Sequence, residues 1–460
     1  MPTKLDRRSF LQNAALASAA MVLPTLGNAE NISTEAKTEL AKTPAGKKDK
    51  LRIGFIGVGL RGQNHVEAAL LRDDCEVVAL ADPDPGMLAD CLKMISEKGR
   101  KKPDIYDKGD HDYLRLLKDK NIDAVVIATP WEWHTQQCVA AMQAGKYVGT
   151  EVCGGFSLDE CWQLVETSEK TRNHCMMLEN CCYDFFELMT LNMARQDFFG
   201  EVIHTEGAYI HGLLGGLFLK DGYADMWRLK ENFRNGNLYP THGLGPVCQV
   251  LNINRGDQME YLTSMQTNDF QMAARAAQLA ETDTFYKEYV GKNYRGNMNT
   301  TLIRTRKGKT IMVQHDVTSP RPYSRIHLIS GTKGFASKYP EPARVSNGHS
   351  IITGEEMEKL KEQYNPEIVK FFGERVKEDG GHGGADFMMD WRLIDCLRNG
   401  LPLDQDVYDA ALWSAIAPLS EASVANRSNA VEIPDFTRGS WKTNLPFELT
   451  LKGGGTTRFR

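Results

Sequence analysis

No C-x-x-C pair occurs in the chain, although it holds ten cysteines. That absence removes the zinc-ribbon and thioredoxin readings. Several cysteines sit in apolar, helix-like runs, such as Cys138 in "QQCVAAMQAG". They read as buried free thiols, not as a disulfide framework. Long runs of one charge sign are missing as well. With a net charge of −5 and 25% charged residues, there is no electrostatic footprint for nucleic acid or an anionic membrane surface. Internal repeats and low-complexity tracts are absent. The apolar run from Ala14 to Leu26 is too short to span a bilayer in a mature chain.

That run belongs to a targeting layout. Arg7-Arg8-Ser9-Phe10-Leu11 precedes it, and the small-residue end Gly27-Asn28-Ala29 follows it. This is how a signal peptide is built, and the paired arginines resemble a twin-arginine signal. No cysteine stands near its end, which closes the lipoprotein route. Residues 1–29 are therefore expected to direct the protein to the periplasm or outside the cell. Residues 30–50 are polar, rich in Lys, Thr and Ala, and read as a linker.

The chain, 460 residues in all, is too long for one ordinary core, so two domains are expected. From Leu51 the pattern alternates. "LRIGFIGVG", "CEVVALADP", "IDAVVIATP" and "KYVGTEV" read as strands; "GQNHVEAALL", "MLADCLKMISEKG" and "HTQQCVAAMQAG" read as helices. Apolar strands alternating with helices predict a doubly wound parallel sheet of the Rossmann type over 51–178. Beyond it the texture turns to alternating β segments, including "GEVIHTEGAYIHG", "MEYLTSMQTND" and "SRIHLISGTKGFAS". In "NTTLIRTRKGKTIMVQHDVTS", "TRKGK" makes a hairpin turn. Residues 179–460 are thus predicted to form an α+β domain with an open, largely antiparallel sheet. Its helices over Gly384 to Asn399 and Asp406 to Ala425 are free to pack back on the first domain. An open sheet usually buries its exposed face against a partner, so a homo-oligomer is expected.

The chemistry starts at Gly57-Val58-Gly59-Leu60-Arg61-Gly62. This G-x-G-x-x-G run follows an apolar strand and opens a helix, the context a dinucleotide fingerprint requires. Gly57 makes the tight turn, and Gly59 lets backbone approach a pyrophosphate at the helix N-terminus. The second strand ends at Asp82, where a carboxylate accepts from a ribose diol and repels a 2′-phosphate. NAD is therefore favoured over NADP; Asp84, past the strand end, is the alternative ribose contact. The third strand leads into Thr129-Pro130-Trp131-Glu132-Trp133-His134, on the side where such sheets bind ligands.

The runs "GFIGVGLRG", "VVALADPD", "DAVVIATPWEWHTQ", "AGKYVGTEVCGG" and "GGHGGADFMMDWRLIDCLRNG" resemble the Gfo/Idh/MocA oxidoreductase superfamily over most of 51–435. "WEWH", "TEVCGG", "LENCCY" and "NGNLYPTHGLGPV" narrow the resemblance to glycoside hydrolase family 109, α-N-acetylgalactosaminidases that use NAD. One departure from the superfamily sharpens this. Its sugar dehydrogenases carry Glu-Lys-Pro where this chain has Glu151-Val152-Cys153, so the lysine that assists proton removal is missing. An exported NAD(P)-dependent sugar or polyol dehydrogenase, or a glucose–fructose-type oxidoreductase, is the alternative reading.

The resemblance implies hydrolysis of terminal α-linked N-acetylgalactosamine by oxidation at C3, loss of the C2 proton and the aglycone, addition of water, and reduction. NAD would be bound tightly, one per subunit, and regenerated in each turnover. NAD-dependent glycosidases stand outside the two-carboxylate scheme. Retention of configuration is implied as well. His242 in "YPTH" resembles the superfamily's active-site histidine and is the expected acceptor of the C3 hydroxyl proton. Tyr183 in "ENCCY" is the second candidate catalytic residue, as C2 base or leaving-group acid. The implied cofactor set is Gly57, Gly59, Leu60, Arg61, Gly62, Asp82, Trp131, Glu132, Trp133, His134, Glu151, Val152 and Asn180. The implied substrate set is Tyr209, Arg228, Tyr239, Pro240, Thr241, His242 and Tyr323. His315-Asp316 and His382-Gly383-Gly384 raise a metal alternative. They are far apart, and neither is read as having a carboxylate at helical ligand spacing, so no metal is expected.

Overall fold

The computed structural model describes residues 49–220, 226–379 and 382–446. The expected signal and all but the last two residues of the expected linker lie outside them. Six parallel strands form the first sheet: β1 (Leu51–Ile56), β2 (Cys75–Ala81), β3 (Asp104–Tyr106), β4 (Ala124–Ile127), β5 (Tyr147–Thr150) and β6 (Cys175–Met177), in the order β3-β2-β1-β4-β5-β6. This is the doubly wound order, with its topological switch between β1 and β4. β1 is buried at all but Arg52 and β4 throughout, which is why both read as continuous apolar runs, not alternating ones. β3 and β6 are three residues each, too short to announce themselves by pattern.

Four helices of this half matter for the site: α1 (Leu60–Leu70), α2 (Pro85–Glu97), α3 (Trp131–Gln143) and α4 (Leu158–Thr171). α3 starts at Trp131 instead of at His134, because Pro130 holds the flanking position at φ −58 and lets the next three residues turn at once. All ten cysteines are buried thiols, as their apolar settings predicted.

The second sheet has eight strands: β7 (Val202–Ile210), β8 (Met259–Gln266), β9 (Asn299–Thr305), β10 (Thr310–Asp316), β11 (Leu328–Gly331), β12 (Phe335–Ser337), β13 (Arg344–Ser346) and β14 (Val431–Glu432). Its order is β13-β12-β11-β7-β10-β9-β8-β14. Every pair is antiparallel except β7 with β10, which run parallel and set Tyr209 beside His315. The predicted hairpin turn joins β9 to β10, with Thr305 donating to Lys309 O and Gly308 at φ +82.

Three more helices finish the frame. α5 (Thr241–Leu251) lies on β7, α6 (Ala385–Asn399) packs on α1 and β1, and α7 (Val407–Ala425) crosses β8 and α4. α7 begins in a capping box between Asp406 and Asp409. α5 touches β7 backbone to backbone: a Cβ on Gly243 would sit 2.2 Å from Ala208 N, and one on Gly207 2.2 Å from Gly243 O. Two facing glycines thus bring the start of α5, which carries His242, against the end of β7, which carries Tyr209.

Candidate active site

The carboxyl ends of the parallel strands hold the predicted motifs in one row. Gly57 follows β1, Asp82 follows β2, Thr129 and the start of α3 follow β4, Glu151 follows β5, and Glu179 follows β6. In the glycine turn, Gly57 has φ +82, and a Cβ on Gly62 would lie 2.0 Å from Gly57 O. Both glycines are required by the turn itself. Gly59 is different: its φ is −64, and an added Cβ meets nothing within 4 Å. No side chain caps α1, and its first turn holds no acidic residue. The first N–H groups of α1 therefore face an open cradle suited to a phosphate. Leu60 beside it is 62% exposed. Asp82 braces the turn, accepting from Val58 N at 2.7 Å and Asp84 N at 2.9 Å. Asp84 itself accepts from Gly86 N and Met87 N as the cap of α2; both carboxylates thus stand at the end of β2, each fixed by two backbone N–H groups. These residues fit a dinucleotide.

The aromatic turn behaves otherwise than predicted. Trp131 Nε1 donates to Val152 O at 2.8 Å. Both His134 ring nitrogens face carbonyls, Cys153 O at 2.7 Å and Thr129 O at 2.8 Å. Burial lowers the pKa of this imidazole, against those two bonds. The His134 ring is thus a brace for the loop after β5, not a cofactor ligand. Trp133 is half-buried and packs edge-on against His111 at 5.3 Å, while Glu132 is exposed.

Glu151 and Asn180 are likewise engaged with protein. Arg61 Nε donates to Glu151 at 2.7 Å, and its Nη atoms hold Asp386 at 2.7 and 3.0 Å. Asn180 Nδ2 donates to Asp386 at 2.7 Å, and His382 Nδ1 lies 2.6 Å from the same carboxylate. Here the reading that His382 lacks a carboxylate at helical spacing is wrong, since Asp386 stands four residues on. His65, buried under α6, links Glu151 at 2.9 Å with Asp390 at 2.9 Å. Burial pulls this imidazole down and Arg61 opposes its charge, but Asp390 and Glu151 outweigh both and raise it to about 9. A free histidine titrates near 6.5. The stability His65 contributes is therefore fully present below pH ~6.5 and is lost as the pH rises through about 9. Urea unfolding of wild type and His65→Gln is expected to differ most at pH 6, with the gap closing by on the order of 3 kcal/mol towards pH 10.

The second half supplies the candidate base. His242, at the first turn of α5, is bonded through Nδ1 to Glu179 Oε1 at 2.7 Å and through Nε2 to the Tyr239 hydroxyl at 3.3 Å. Glu179 is fully buried and also accepts from Cys181 N at 3.0 Å. Burial pushes its carboxyl up, but the His242 ring and the hydrogen bonds outweigh that and hold it below the usual carboxylate range. A carboxylate on Nδ1–H fixes the tautomer that leaves Nε2 free to accept. Glu179 carried no role in the sequence reading. Its signal was its place in "LENCCY", directly after a strand and one residue before Asn180.

Glu179, Cys181 and His242 also form the one grouping, among the described residues, with ligand atoms close enough for a metal. Burial drives the Cys181 thiol far above its ordinary value, and its sulfur donates to Asn180 Oδ1 at 3.4 Å. With the thiol protonated and the Glu179 and His242 atoms bonded together, the donor set matches a positioned base better than a cation site.

Around His242 lies an aromatic pocket. Tyr209 stacks on Tyr239 at 4.4 Å and meets His242 edge-on at 5.3 Å. Tyr239 meets Trp131 at 5.4 Å. The Arg228 guanidinium lies over Trp227 at 5.0 Å, Tyr239 at 5.8 Å and Trp131 at 5.9 Å. Tyr323 closes the far side, 6.3 Å from Tyr209, with Arg325 Nη1 donating to its hydroxyl at 3.2 Å. Pro240 and Thr241 form the buried start of α5. The predicted substrate set is thus brought together. His315 sits behind it as a spacer, buried, with Nδ1 accepting from Leu238 N at 3.3 Å.

Tyr183 does not join them. It is 1% exposed, and its hydroxyl donates to Asp404 at 3.2 Å, deep beside the Arg392–Asp404 ion pair. Burial and the Asp404 charge raise its pKa well above that of a free phenol. A base needs the opposite shift. Tyr183 is a core residue, and Tyr183→Phe is expected to leave kcat unchanged at a cost of about 1 kcal/mol in thermal stability.

Comparison with known proteins agrees with this geometry. Residues 183–443 match the glycosyl hydrolase 109 C-terminal domain, and residues 51–179 match the oxidoreductase family's NAD-binding Rossmann fold. A glycosyl hydrolase family 109 protein 2 of Shewanella sp. (strain ANA-3) is 45% identical over 454 residues, 96% of this chain and 99% of that one. A family 109 protein of Shewanella pealeana is 43% identical over 456 residues, 97% of this chain and 99% of its own. Among solved structures, an NAD-binding oxidoreductase from Klebsiella pneumoniae aligns with TM-score 0.62 at 17% identity, over 84% of this chain and 100% of its own. The scyllo-inositol dehydrogenase of Lactobacillus casei with bound NAD(H) and scyllo-inositol aligns with TM-score 0.57 at 15% identity, over 83% and 99%. These last two speak to the fold alone. The chain belongs to glycosyl hydrolase family 109: it is a glycoside hydrolase whose first half is an NAD-binding Rossmann fold of the Gfo/Idh/MocA oxidoreductases.

Proposed function

We propose that the protein removes terminal α-linked N-acetylgalactosamine from glycans by oxidation at C3, elimination, addition of water and reduction, with no net use of NAD. One observation carries the reading. A histidine held by a buried glutamate stands ready as base, and Val152, where the resemblance to the sugar dehydrogenases would put their lysine, is a buried apolar residue. NAD at the glycine turn supplies reversible hydride acceptance from C3. His242 Nε2 takes the C3 hydroxyl proton and returns it at the end of the turnover. Tyr209 and Tyr239 offer aromatic surface to the apolar face of the sugar, and Arg228 suits the acetamido oxygen. The N-terminal segment, read as a twin-arginine signal, exports the folded chain with its dinucleotide loaded. A cofactor regenerated in place needs no resupply outside.

The test is purified full-length protein with p-nitrophenyl α-N-acetylgalactosaminide and no added NAD. Release of nitrophenol without accumulation of NADH supports the reading. Steady NADH formation from free sugars in the presence of NAD, with no nitrophenol released, would make it a dehydrogenase instead.

A further inference from the structure

Elimination needs two proton transfers on neighbouring positions of the sugar, one at the C3 hydroxyl and one at C2. His242 accounts for the first. With Tyr183 in the core, the second has no agent among the residues predicted for it. The pocket holds an unassigned imidazole. His211 stands just past the end of β7, two residues after Tyr209, so both side chains leave the strand on the same side. The Tyr209 hydroxyl lies 3.0 Å from His211 Nδ1. The His211 ring is partly exposed and meets Tyr323 at 5.1 Å. Tyr209 and Tyr239 stack at 4.4 Å with their planes 26° apart, and each hydroxyl rests on its own imidazole, His211 for one and His242 for the other. Two phenol–imidazole pairs therefore stand side by side in one pocket.

We propose that the Tyr209–His211 pair is the proton relay that serves C2 of the sugar, next to the position served by His242. This rests on the oxidation–elimination reading above. Once C3 is a ketone, the C2–H bond breaks. Its electron pair becomes the C1=C2 bond while the bond from C1 to the aglycone oxygen breaks. The C2 proton passes to the Tyr209 oxygen as the Tyr209 proton passes to His211 Nδ1, leaving an imidazolium. An aryl aglycone departs as its phenolate, and an alkyl one takes a proton from solvent. When water adds, its oxygen bonds to C1 and its surplus proton leaves to solvent, while the relay runs in reverse and returns a proton to C2. Tyr209 is the group that meets the sugar, and His211 acts through it. The relay needs a neutral His211. Burial lowers its pKa, and the Arg228 charge adds to that, as do the His242 and His382 rings whenever they carry a proton; Tyr209 and Tyr323 complete its surroundings.

The experiment uses the NAD-loaded enzyme and its His211→Gln and Tyr209→Phe variants. Exchange of the C2 proton of N-acetylgalactosamine into D2O is followed by proton NMR, beside the absorbance at 340 nm on mixing with the same sugar. Wild type is expected to exchange C2, faster as the pH rises through the His211 pKa. His211→Gln is expected to keep the 340 nm signal, to lose C2 exchange by about 10²–10⁴-fold and to lose the pH dependence; Tyr209→Phe is expected to lose C2 exchange by a larger factor than it loses the 340 nm signal. A second readout needs no cofactor. In isotope-labelled apoprotein, Tyr209→Phe is expected to raise the His211 pKa, because the phenol bond favours the neutral ring. Variants that exchange C2 at the wild-type rate overturn the relay and leave the elimination reading intact. Variants that lose both signals together also overturn it, since the residues would then serve binding. A wild-type enzyme that forms product with its C2 proton fully retained overturns the elimination reading, and the relay with it.

Discussion

Glu179→Gln is expected to lower kcat by about 10²–10⁴-fold with little change in fold or in NAD content. Unlike an amide, the carboxylate offers His242 acceptor atoms only and carries a charge. It accepts from His242 Nδ1 at 2.7 Å, which commits the ring proton to that side and leaves Nε2 as the acceptor. It also stabilises the imidazolium that forms when Nε2 takes a proton. A glutamine at this site can turn its NH2 towards Nδ1. The other tautomer is then favoured, Nε2 carries the proton, and the base is blocked. A comparable carboxylate-to-amide change in a serine protease triad keeps the geometry and costs about 10⁴-fold. The check is single-turnover kinetics on the aryl glycoside, with circular dichroism and bound-NAD content as controls. If Glu179→Gln retains wild-type kcat, the dyad is structural and His242 is not the base. The carboxylate lies below the usual carboxylate range, so it stays ionised through the working pH range. The loss in Glu179→Gln is accordingly expected to be uniform from pH 6 to 9.

Local pattern carried most of the frame. β1, β2, β4 and β5 lie in apolar stretches bounded by turn residues, and the glycine turn and Asp82 lie within 25 residues or so of one another, a range over which spacing alone is informative. The hairpin at Thr305 to Lys309 and the two late helices were legible for the same reason. The dyad was not, because Glu179 and His242 meet across 63 positions, and nothing in "LENCCY" says which side chain turns towards "YPTH". Tyr183 was misassigned for the same cause. It lies on a short 3-10 turn, Asn180–Tyr183, where neighbouring side chains point in different directions and a motif match cannot tell which one faces the pocket. Arg61 stood in the implied cofactor set from its place in the glycine turn, but Asp386, 325 positions away, claims its guanidinium. The His382–Asp386 pair, four residues apart, was open to a sequence reading and missed there.

The glycine turn itself admits a sharper separation of fold from function. Gly59→Ser is expected to leave the apoprotein as stable as wild type, or more so, and to weaken NAD binding about 10–100-fold. Three observations set those opposite directions. The backbone at Gly59 has φ −64, a value any residue adopts. A Cβ there meets no protein atom within 4 Å. The position caps α1 without a side-chain bond, and serine is a favoured cap that would satisfy one of the free N–H groups. Each helps the apoprotein. Each also harms the cofactor, because the hydroxymethyl group enters the space a pyrophosphate needs and its oxygen competes for the same donors. Intrusions of this size cost about 1–3 kcal/mol, or roughly 5–150-fold in affinity. Gly62→Ala is the contrasting variant. Its Cβ would lie 2.0 Å from Gly57 O, so the turn must deform and the melting temperature of the apoprotein must fall. Thermal melts of cofactor-free protein, paired with calorimetric titration by NAD, separate the two. If Gly59→Ser melts as low as Gly62→Ala, the glycine is there for packing. If it melts normally and binds NAD as tightly as wild type, the cradle is not the pyrophosphate site. Normal melting with weakened binding leaves the dinucleotide itself as the reason for glycine at position 59.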